Sequence, residues 1–193
     1  MSRWAAVTFA EGIDRRAAAR DVARALERQG LRLAGFLQRQ RPDDASGALE
    51  LERLGEKWGQ AAFLGARSSA PEKQPVPISS GCSFAFEPAG FERGRQWLEE
   101  DAKGADVLFV DELSKLELEG AGHAAALRWA LAEPGEQVVV FCTAAKRLTH
   151  VVDRFRFSGQ PVAYLEYGAV DGAAREFAAR VAAALGVGHC GHE

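Results

Sequence analysis

The sequence is poor in cysteine and methionine and has no long apolar run. Only three of its 193 residues are cysteines and one is methionine. A sparse, odd-numbered cysteine set argues against a disulfide framework and favours a reducing compartment, so we expect a cytoplasmic protein. No apolar run approaches the roughly 20 residues that a membrane-spanning helix needs. The stretch MSRWAAVTFAEGID predicts a first strand rather than a signal peptide.

Basic charge is not in excess either. The chain has 24 Lys and Arg against 27 Asp and Glu, a formal net charge of −3. This balance argues against nucleic-acid binding and against attachment to a membrane surface. Hydrophobic residues make up 47% of the chain, enough for a globular core. We expect one domain over residues 1–186 and a flexible tail over residues 187–193.

Apolar β-forming runs alternate with helical patterns along the chain. The first such unit is a strand, a helix with Asp14 as N-cap and Gly30 as C′ residue, and a second strand. Strands separated by helices predict a three-layer α/β domain with a mainly parallel sheet. One segment departs from this pattern, because its leucines alternate with charged residues as in a half-solvated strand. We therefore predict an antiparallel hairpin insertion at about residues 48–66.

Two adjacent carboxylates end the most apolar of these strands. The run ADVLFVDELSKLELEG, residues 105–120, reads as a buried strand followed by Asp111 and Glu112. In open α/β sheets the carboxyl ends of the strands face the crevice that binds ligands. A nucleotide site needs one acid to hold Mg²⁺ through its water shell and one to polarise an attacking water. The alternative is that the pair caps the strand and faces solvent.

The surrounding residues resemble those of a known family. The stretch VLFVDELSKLELEGAGHAAALRWAL, residues 107–131, is similar to the Walker B region of thermophile-type P-loop nucleoside triphosphatases. In that family an Asp-Glu strand end is followed by a Gly-Lys-Met-Glu-Leu-like segment, which here reads SKLEL. The chain also resembles a bacterial domain family of unknown function labelled molybdenum-transporter ATP-binding-like, in which an acidic-Gly-Gly segment follows this strand.

The resemblance implies a P-loop NTPase fold, a nucleotide ligand and Mg²⁺ as cofactor. It implies that Asp111 is the magnesium ligand, that Glu112 orients water, and that Lys115 is among the phosphate-binding residues. Thr143 follows a later strand, QVVVFC, on the same sheet edge, where this fold can sense a γ-phosphate. A local cap is the more frequent role of a threonine that ends a strand.

The first turn departs from the family pattern. A P-loop requires G-x-x-x-x-G-K-[ST], whose backbone N–H groups, Lys and hydroxyl bind the phosphates and Mg²⁺. The corresponding stretch, FAEGIDRRA, has one glycine, Gly12, and neither Lys, Ser nor Thr. Arg15 or Arg16 can partly replace the Lys, whereas Asp14 as N-cap would take the N–H groups that a phosphate needs. The turn is therefore either a shortened phosphate-binding loop or only a connection.

Two further sets of side chains are candidates for ligand binding. Lys146, Arg147, Arg154 and Arg156 lie in one segment and can reach an anion over the site, although a solvated helix face is the default interpretation. His189, Cys190 and His192 form a compact donor set in the tail that suits Zn²⁺ or Cu. Because consecutive residues do not easily close a tetrahedral cage and terminal tails are usually loose, a metal-free tail is favoured.

Two functional hypotheses follow. The first is a nucleotide- or phosphate-ligand-binding protein with weak or absent triphosphate hydrolysis; as an enzyme it would be a Mg²⁺-dependent nucleoside triphosphatase of low activity. The second is a non-catalytic scaffold or regulatory partner of other proteins on the same fold. Its surface would be the hairpin and the Pro/Ser-rich loop at residues 67–81, with Trp58 and Phe63 either as contacts or, equally, as core residues.

Overall fold

Strands and helices alternate in the structure, a computed structural model that describes residues 3–42, 44, 47–67, 84–132 and 135–187. The strands are β1 (Arg3–Phe9), β2 (Leu33–Gln40), β3 (Leu49–Arg53), β4 (Ala61–Arg67), β5 (Phe84–Phe86), β6 (Val107–Leu113), β7 (Val138–Ala144) and β8 (Ala163–Tyr167). The helices are α1 (Arg15–Arg28), α2 (Pro88–Asp101), α3 (Lys115–Leu118), α4 (Ala124–Ala132), α5 (Leu148–Phe155) and α6 (Ala173–Ala184). None of the helices in these residues is both long and apolar enough to cross a membrane.

All eight strands form one sheet in the order β5-β4-β3-β2-β6-β7-β1-β8. The five strands from β2 to β8 in this order pair in parallel, whereas β2, β3, β4 and β5 pair antiparallel. The predicted α/β class, mainly parallel sheet and antiparallel hairpin are confirmed. The hairpin gains a third strand, β5, because the chain returns beside β4 before it enters α2.

Helices cover both faces of the sheet. The apolar stripes of α1 and α6 pack on one face, with Leu26 and Phe177 buried against Phe109 of β6. On the other face α2, α4 and α5 bury a second cluster that includes Trp97 and Phe141. Each fully buried side chain of this size contributes about 1.5–3 kcal/mol through the hydrophobic effect, so the two clusters fix the three-layer arrangement.

The expected half-solvated character of β3 is wrong, because both of its faces are buried. Glu50 and Glu52 are 7% and 3% exposed and lie in ion pairs with Arg39. Arg53 is 3% exposed, and its guanidinium donates to Asp101 at 2.6 Å. Alternating charge in this segment therefore reflects paired buried charges rather than a solvent-facing side, and sequence periodicity alone does not separate the two cases.

The strand order creates a crevice beside β1. From the carboxyl end of β1 the chain passes through α1 over one face of the sheet, whereas from the neighbouring β7 it passes through α5 over the other face. Adjacent parallel strands whose connections leave to opposite faces open a space between them, and α/β proteins bind ligands in such a space.

Candidate functional site

A cavity of about 610 Å³ lies at the carboxyl edge of the parallel strands, a volume in the usual range for small-molecule sites. It lies between the first turn of α1, the end of β6, α3, the turn after β7, and β5. Its wall consists of Ile13, Asp14, Arg15, Arg16, Gln38, Leu49, Phe84, Phe86, Phe91, Glu112, Ser114, Lys115, Leu116, Glu117, His123 and Arg147.

The start of α1 supplies two cations and one carboxylate to this wall. Asp14 is the N-cap, as predicted, and its Oδ1 accepts the N–H groups of Arg16 at 3.0 Å and Ala17 at 3.2 Å. Arg15 and Arg16, the first two residues of the helix, line the cavity. Gly12 lies outside the wall in an exposed turn with φ of 82°. Asp14 thus occupies two of the backbone donors that a helix terminus offers to an anion.

A β-bulge in β6 separates the two adjacent carboxylates. The pairing of β6 with β7 shifts between Val110 and Leu113, so that one extra residue is accommodated. Glu112 takes a left-handed conformation with φ of 57°, which is uncommon for a residue other than glycine. The bulge directs Glu112 to the cavity wall, where its Oε1 lies 3.7 Å from Nη1 of Arg15.

Asp111 does not share the exposure of Glu112. It is 2% exposed, its Oδ2 accepts the backbone N–H of Gln38 at 2.9 Å, and it forms a hydrogen bond with Cys142. Burial, followed by the charge of Glu112, raises the pKa of Asp111 from 3.8 to about 7. The expectation that both carboxylates face the crevice is therefore wrong for Asp111, because the bulge directs only the second one outward.

The segment after β6 is ordered by a capping box. Ser114 caps the one-turn helix α3, and Oε2 of Glu117 accepts the Ser114 N–H at 2.7 Å and its hydroxyl at 2.9 Å. The other oxygen of Glu117 accepts the N–H of His123 at 2.9 Å. Burial raises the pKa of Glu117. The pattern Ser-x-x-Glu in the segment SKLEL is a sequence signal for this capping box. This segment was interpreted from the sequence only through its family resemblance.

The other predicted ligand residues fall into two groups. Lys115 lines the cavity, and its Nζ lies 3.8 Å from Oε1 of Glu119. Thr143 does not line the cavity. It is buried, and its hydroxyl donates to the carbonyl of Leu113 at 2.8 Å. Arg147 belongs to the cavity wall, and Arg154 donates instead to the carbonyl of Leu118 at 3.0 Å. Arg147 therefore reaches the cavity, although a solvated helix face was the default interpretation of its basic segment.

The donor set of the cavity does not fit the magnesium site that the resemblance implies. Asp111 is buried, Asp14 caps α1, Glu117 is bonded to Ser114 and His123, and Glu112 is paired with Arg15. Among the described residues no group of three or more His, Cys, Asp or Glu is arranged to hold a metal ion. The tail set His189, Cys190 and His192 lies outside the described residues.

Comparison with known proteins agrees with this architecture. Residues 4–156 match the profile of a family described as "Protein of unknown function (DUF2478)". The chain belongs to the DUF2478 family. A comparison of this DUF2478 protein with curated proteins finds no match.

Two solved structures resemble this DUF2478 protein. THEP1 from Aquifex aeolicus is 18% identical with a TM-score of 0.56, over 86% of this chain and 88% of that one. A human cancer-related nucleoside triphosphatase is 15% identical with a TM-score of 0.61, over 94% and 96% of the two chains. These likenesses support the predicted P-loop NTPase-like fold.

The surface considered for a scaffold role is described only in part. Trp58 packs beneath the guanidinium of Arg24 at 3.5 Å and donates its Nε1–H to Glu52 at 3.2 Å, so it is held within the protein. Phe63 is 40% exposed on β4. Of the predicted loop only Arg67 is described, and residues 68–81 lie outside the described part of the chain.

Proposed function

We propose that this DUF2478 protein binds a phosphorylated small molecule, a nucleotide first among the candidates, and hydrolyses triphosphates weakly or not at all. The observation that carries the proposal is the convergence of Arg15, Arg16 and Arg147 on one cavity beside β1. Guanidinium groups match phosphate oxygens in geometry and remain charged at all relevant pH values. The location agrees with the rule that α/β sheets bind ligands where the chain direction switches.

The balance of charge in the cavity favours an anion. Four cations line it, namely Arg15, Arg16, Lys115 and Arg147, against three carboxylates, Asp14, Glu112 and Glu117. Asp14 and Glu117 already accept backbone N–H groups, which compensate part of their charge. A phosphate would therefore interact with side-chain cations here, rather than with the backbone N–H groups that form a P-loop cradle.

The residues at the start of α1 support the proposal of weak hydrolysis. Asp14 takes the N–H groups of Arg16 and Ala17, and the first turn of α1 has no hydroxyl for Mg²⁺. Efficient phosphoryl transfer depends on positioning and on charge stabilisation by these groups. Glu112, one of the three carboxylates that line the cavity, would orient the attacking water. The proposed function includes no step through Mg²⁺, and the magnesium-ligand role of Asp111 stays a prediction that the burial of its carboxylate does not favour.

A thermal-shift titration of the full chain tests binding. ATP and GTP, each with Mg²⁺ or with EDTA, and inorganic pyrophosphate should raise the melting temperature, since a ligand at 100 times its Kd adds about 2.7 kcal/mol of stability. Arg15→Gln, Arg16→Gln and Arg147→Gln should each weaken binding. Arg175→Gln, an exposed arginine away from the cavity, is the matched control and should bind as the wild type does.

Turnover is tested separately from affinity. Glu112→Gln should lower any phosphate release from ATP or GTP and leave nucleotide affinity largely unchanged. If millimolar nucleotide and pyrophosphate produce no thermal shift, the binding function is contradicted. A scaffold role, with Phe63 on its surface, would then be the better account of the protein.

A further inference from the structure

Part of the cavity wall is aromatic rather than charged. Phe84, Phe86, Phe91, His123 and Phe36 form a continuous series of rings, which we call the aromatic wall. Successive centroids in this order lie 6.0, 5.5, 4.8 and 4.4 Å apart. All but Phe36 line the same cavity as Arg15 and Arg16. The cavity therefore combines an apolar aromatic surface with a cationic one, as sites for amphiphilic small molecules do.

His123 is the polar member of the aromatic wall, and its ring nitrogens are unpaired. The residue is 2% exposed, and neither Nδ1 nor Nε2 has a hydrogen-bond partner in the described part of the structure. Its backbone is fixed by the hydrogen bond from its N–H to Glu117. Buried polar atoms are almost always hydrogen-bonded, and an unpaired one costs about 1–3 kcal/mol. A ligand that pairs with this ring would recover part of that free energy.

The imidazole of His123 is neutral over the physiological range. Burial lowers its pKa to about 3, since the charged form would lie between Phe36 and Phe91 without a counter-ion. A neutral imidazole offers one N–H donor and one acceptor nitrogen. The imidazole of His123 therefore complements a flat ring that carries a hydrogen-bond donor or acceptor at its edge. Because it is neutral, it does not attract a second anion.

We propose that the aromatic wall binds the nitrogen heteroaromatic ring of the ligand, with His123 hydrogen-bonded to the ring edge and the phosphate held by Arg15, Arg16 and Arg147. This inference rests on the proposed function, which supplies the phosphate of the ligand. It adds the chemical class of the rest of the ligand, which is a nucleotide base or a related heterocycle. A purely aliphatic phosphate would leave the ring nitrogens of His123 unpaired.

Calorimetric titration of the full chain separates the two parts of the ligand. The probes are inorganic pyrophosphate, ribose 5-phosphate, and the monophosphates AMP, GMP, CMP and UMP. At least one monophosphate should bind about fivefold or more tightly than ribose 5-phosphate, because stacking of a base on aromatic side chains strengthens binding by about that ratio or more in typical sites. Equal affinities for all four monophosphates and ribose 5-phosphate would overturn the inference.

His123→Phe tests the hydrogen bond. The substitution keeps a ring between Phe36 and Phe91 and removes both nitrogens, so the advantage of the monophosphate over ribose 5-phosphate should fall by about three- to tenfold. The affinity for ribose 5-phosphate should not change. His150→Phe, on the exposed side of α5, is the matched control and should keep the full advantage. An unchanged advantage in His123→Phe would contradict the assignment.

Nitrogen NMR of histidine-labelled wild-type protein gives a readout that does not depend on any variant. At pH 5 the ring of His123 is neutral because burial lowers its pKa to about 3, so it gives one signal from a protonated nitrogen and one from an unprotonated nitrogen. Its ring signals should shift with the preferred monophosphate and not with pyrophosphate. Pyrophosphate binding without a monophosphate effect on His123 refutes this inference and leaves the proposed function intact. Failure of every phosphorylated probe to bind refutes both.

Discussion

Replacing Asp111 by asparagine should stabilise the protein at pH 8 and leave its stability nearly unchanged at pH 4. Burial and the charge of Glu112 raise the pKa of Asp111 from 3.8 to about 7 in the folded chain. Between these values the unfolded chain releases a proton that the folded chain keeps, so the wild-type free energy of unfolding falls as pH rises. At about 1.4 kcal/mol for each tenfold difference in proton affinity, the loss reaches about 4 kcal/mol by pH 8.

The asparagine variant removes this loss without removing the main contact. Its side-chain oxygen can still accept the Gln38 N–H, which lies 2.9 Å from Oδ2 of Asp111. The stability of Asp111→Asn relative to the wild type should therefore rise through the range from pH 4 to pH 7 and level off above it. Because a buried site relaxes and admits water, we expect about 2–4 kcal/mol at the plateau.

Urea unfolding at pH 4, 6 and 8, followed by circular dichroism, measures this difference. Asp153→Asn, on the exposed side of α5, is the matched control and should leave the wild-type pH profile unchanged. A difference that does not vary with pH would refute the reasoning. A less stable Asp111→Asn at pH 8, together with stabilisation of the wild type by Mg²⁺, would mean instead that the ionised carboxylate binds the cation.

The remaining predictions concern backbone conformation and the helix cap. Asp14→Ser keeps an N-cap and removes a negative charge from the cavity, so calorimetry should show pyrophosphate affinity raised about five- to tenfold; unchanged affinity would mean that the anion binds elsewhere. Glu112→Gly should be about 1 kcal/mol more stable to urea than Glu112→Ala, because only glycine accepts φ of 57° without strain; equal stabilities would show that the bulge is unstrained. Gly35→Ala should cost at least 3 kcal/mol, because its Cβ would lie 2.0 Å from the carbonyl oxygen of Phe109, whereas Gly12→Ala meets nothing within 4 Å and should cost about 1–2 kcal/mol.

The fold was predictable from the sequence because local signals and long-range patterning agree in it. Asp14 begins α1 as its side-chain cap, and Gly30 ends it with a positive φ. Both signals depend on residue type alone. The central parallel strands β6 and β7 are apolar over most of their length and are recognisable without knowledge of their neighbours. The charged strand β3 was assigned the wrong environment, because Glu52 and Arg53 are buried by partners that lie far away in sequence.

The candidate site was predictable in its composition and less so in its geometry. The Asp111-Glu112 pair and the cations at the start of α1 were identified from residue type and spacing. The different positions of the two carboxylates depend on a one-residue register shift between β6 and β7. No local sequence pattern indicates such a shift. The rings of Phe86, Phe91 and His123 meet only because β5 and α2 pack beside the end of β6.

Two features of the proposed phosphate site bear on hydrolysis, namely the first turn of α1 and the burial of Asp111. In a nucleotide site a carboxylate at this strand end acts on Mg²⁺ and its water shell. Here the first turn of α1 has no hydroxyl, and Asp111 is hydrogen-bonded instead to the Gln38 N–H and to Cys142. Burial then favours its neutral form, so the carboxylate would contribute little charge for a cation near neutral pH. Glu112, directed outward by the bulge, is half-buried in the cavity wall and paired with Arg15. On the proposed function, both the first turn of α1 and Asp111 would lack the contacts to Mg²⁺ that hydrolysis needs, while the cationic wall suited to phosphate remains.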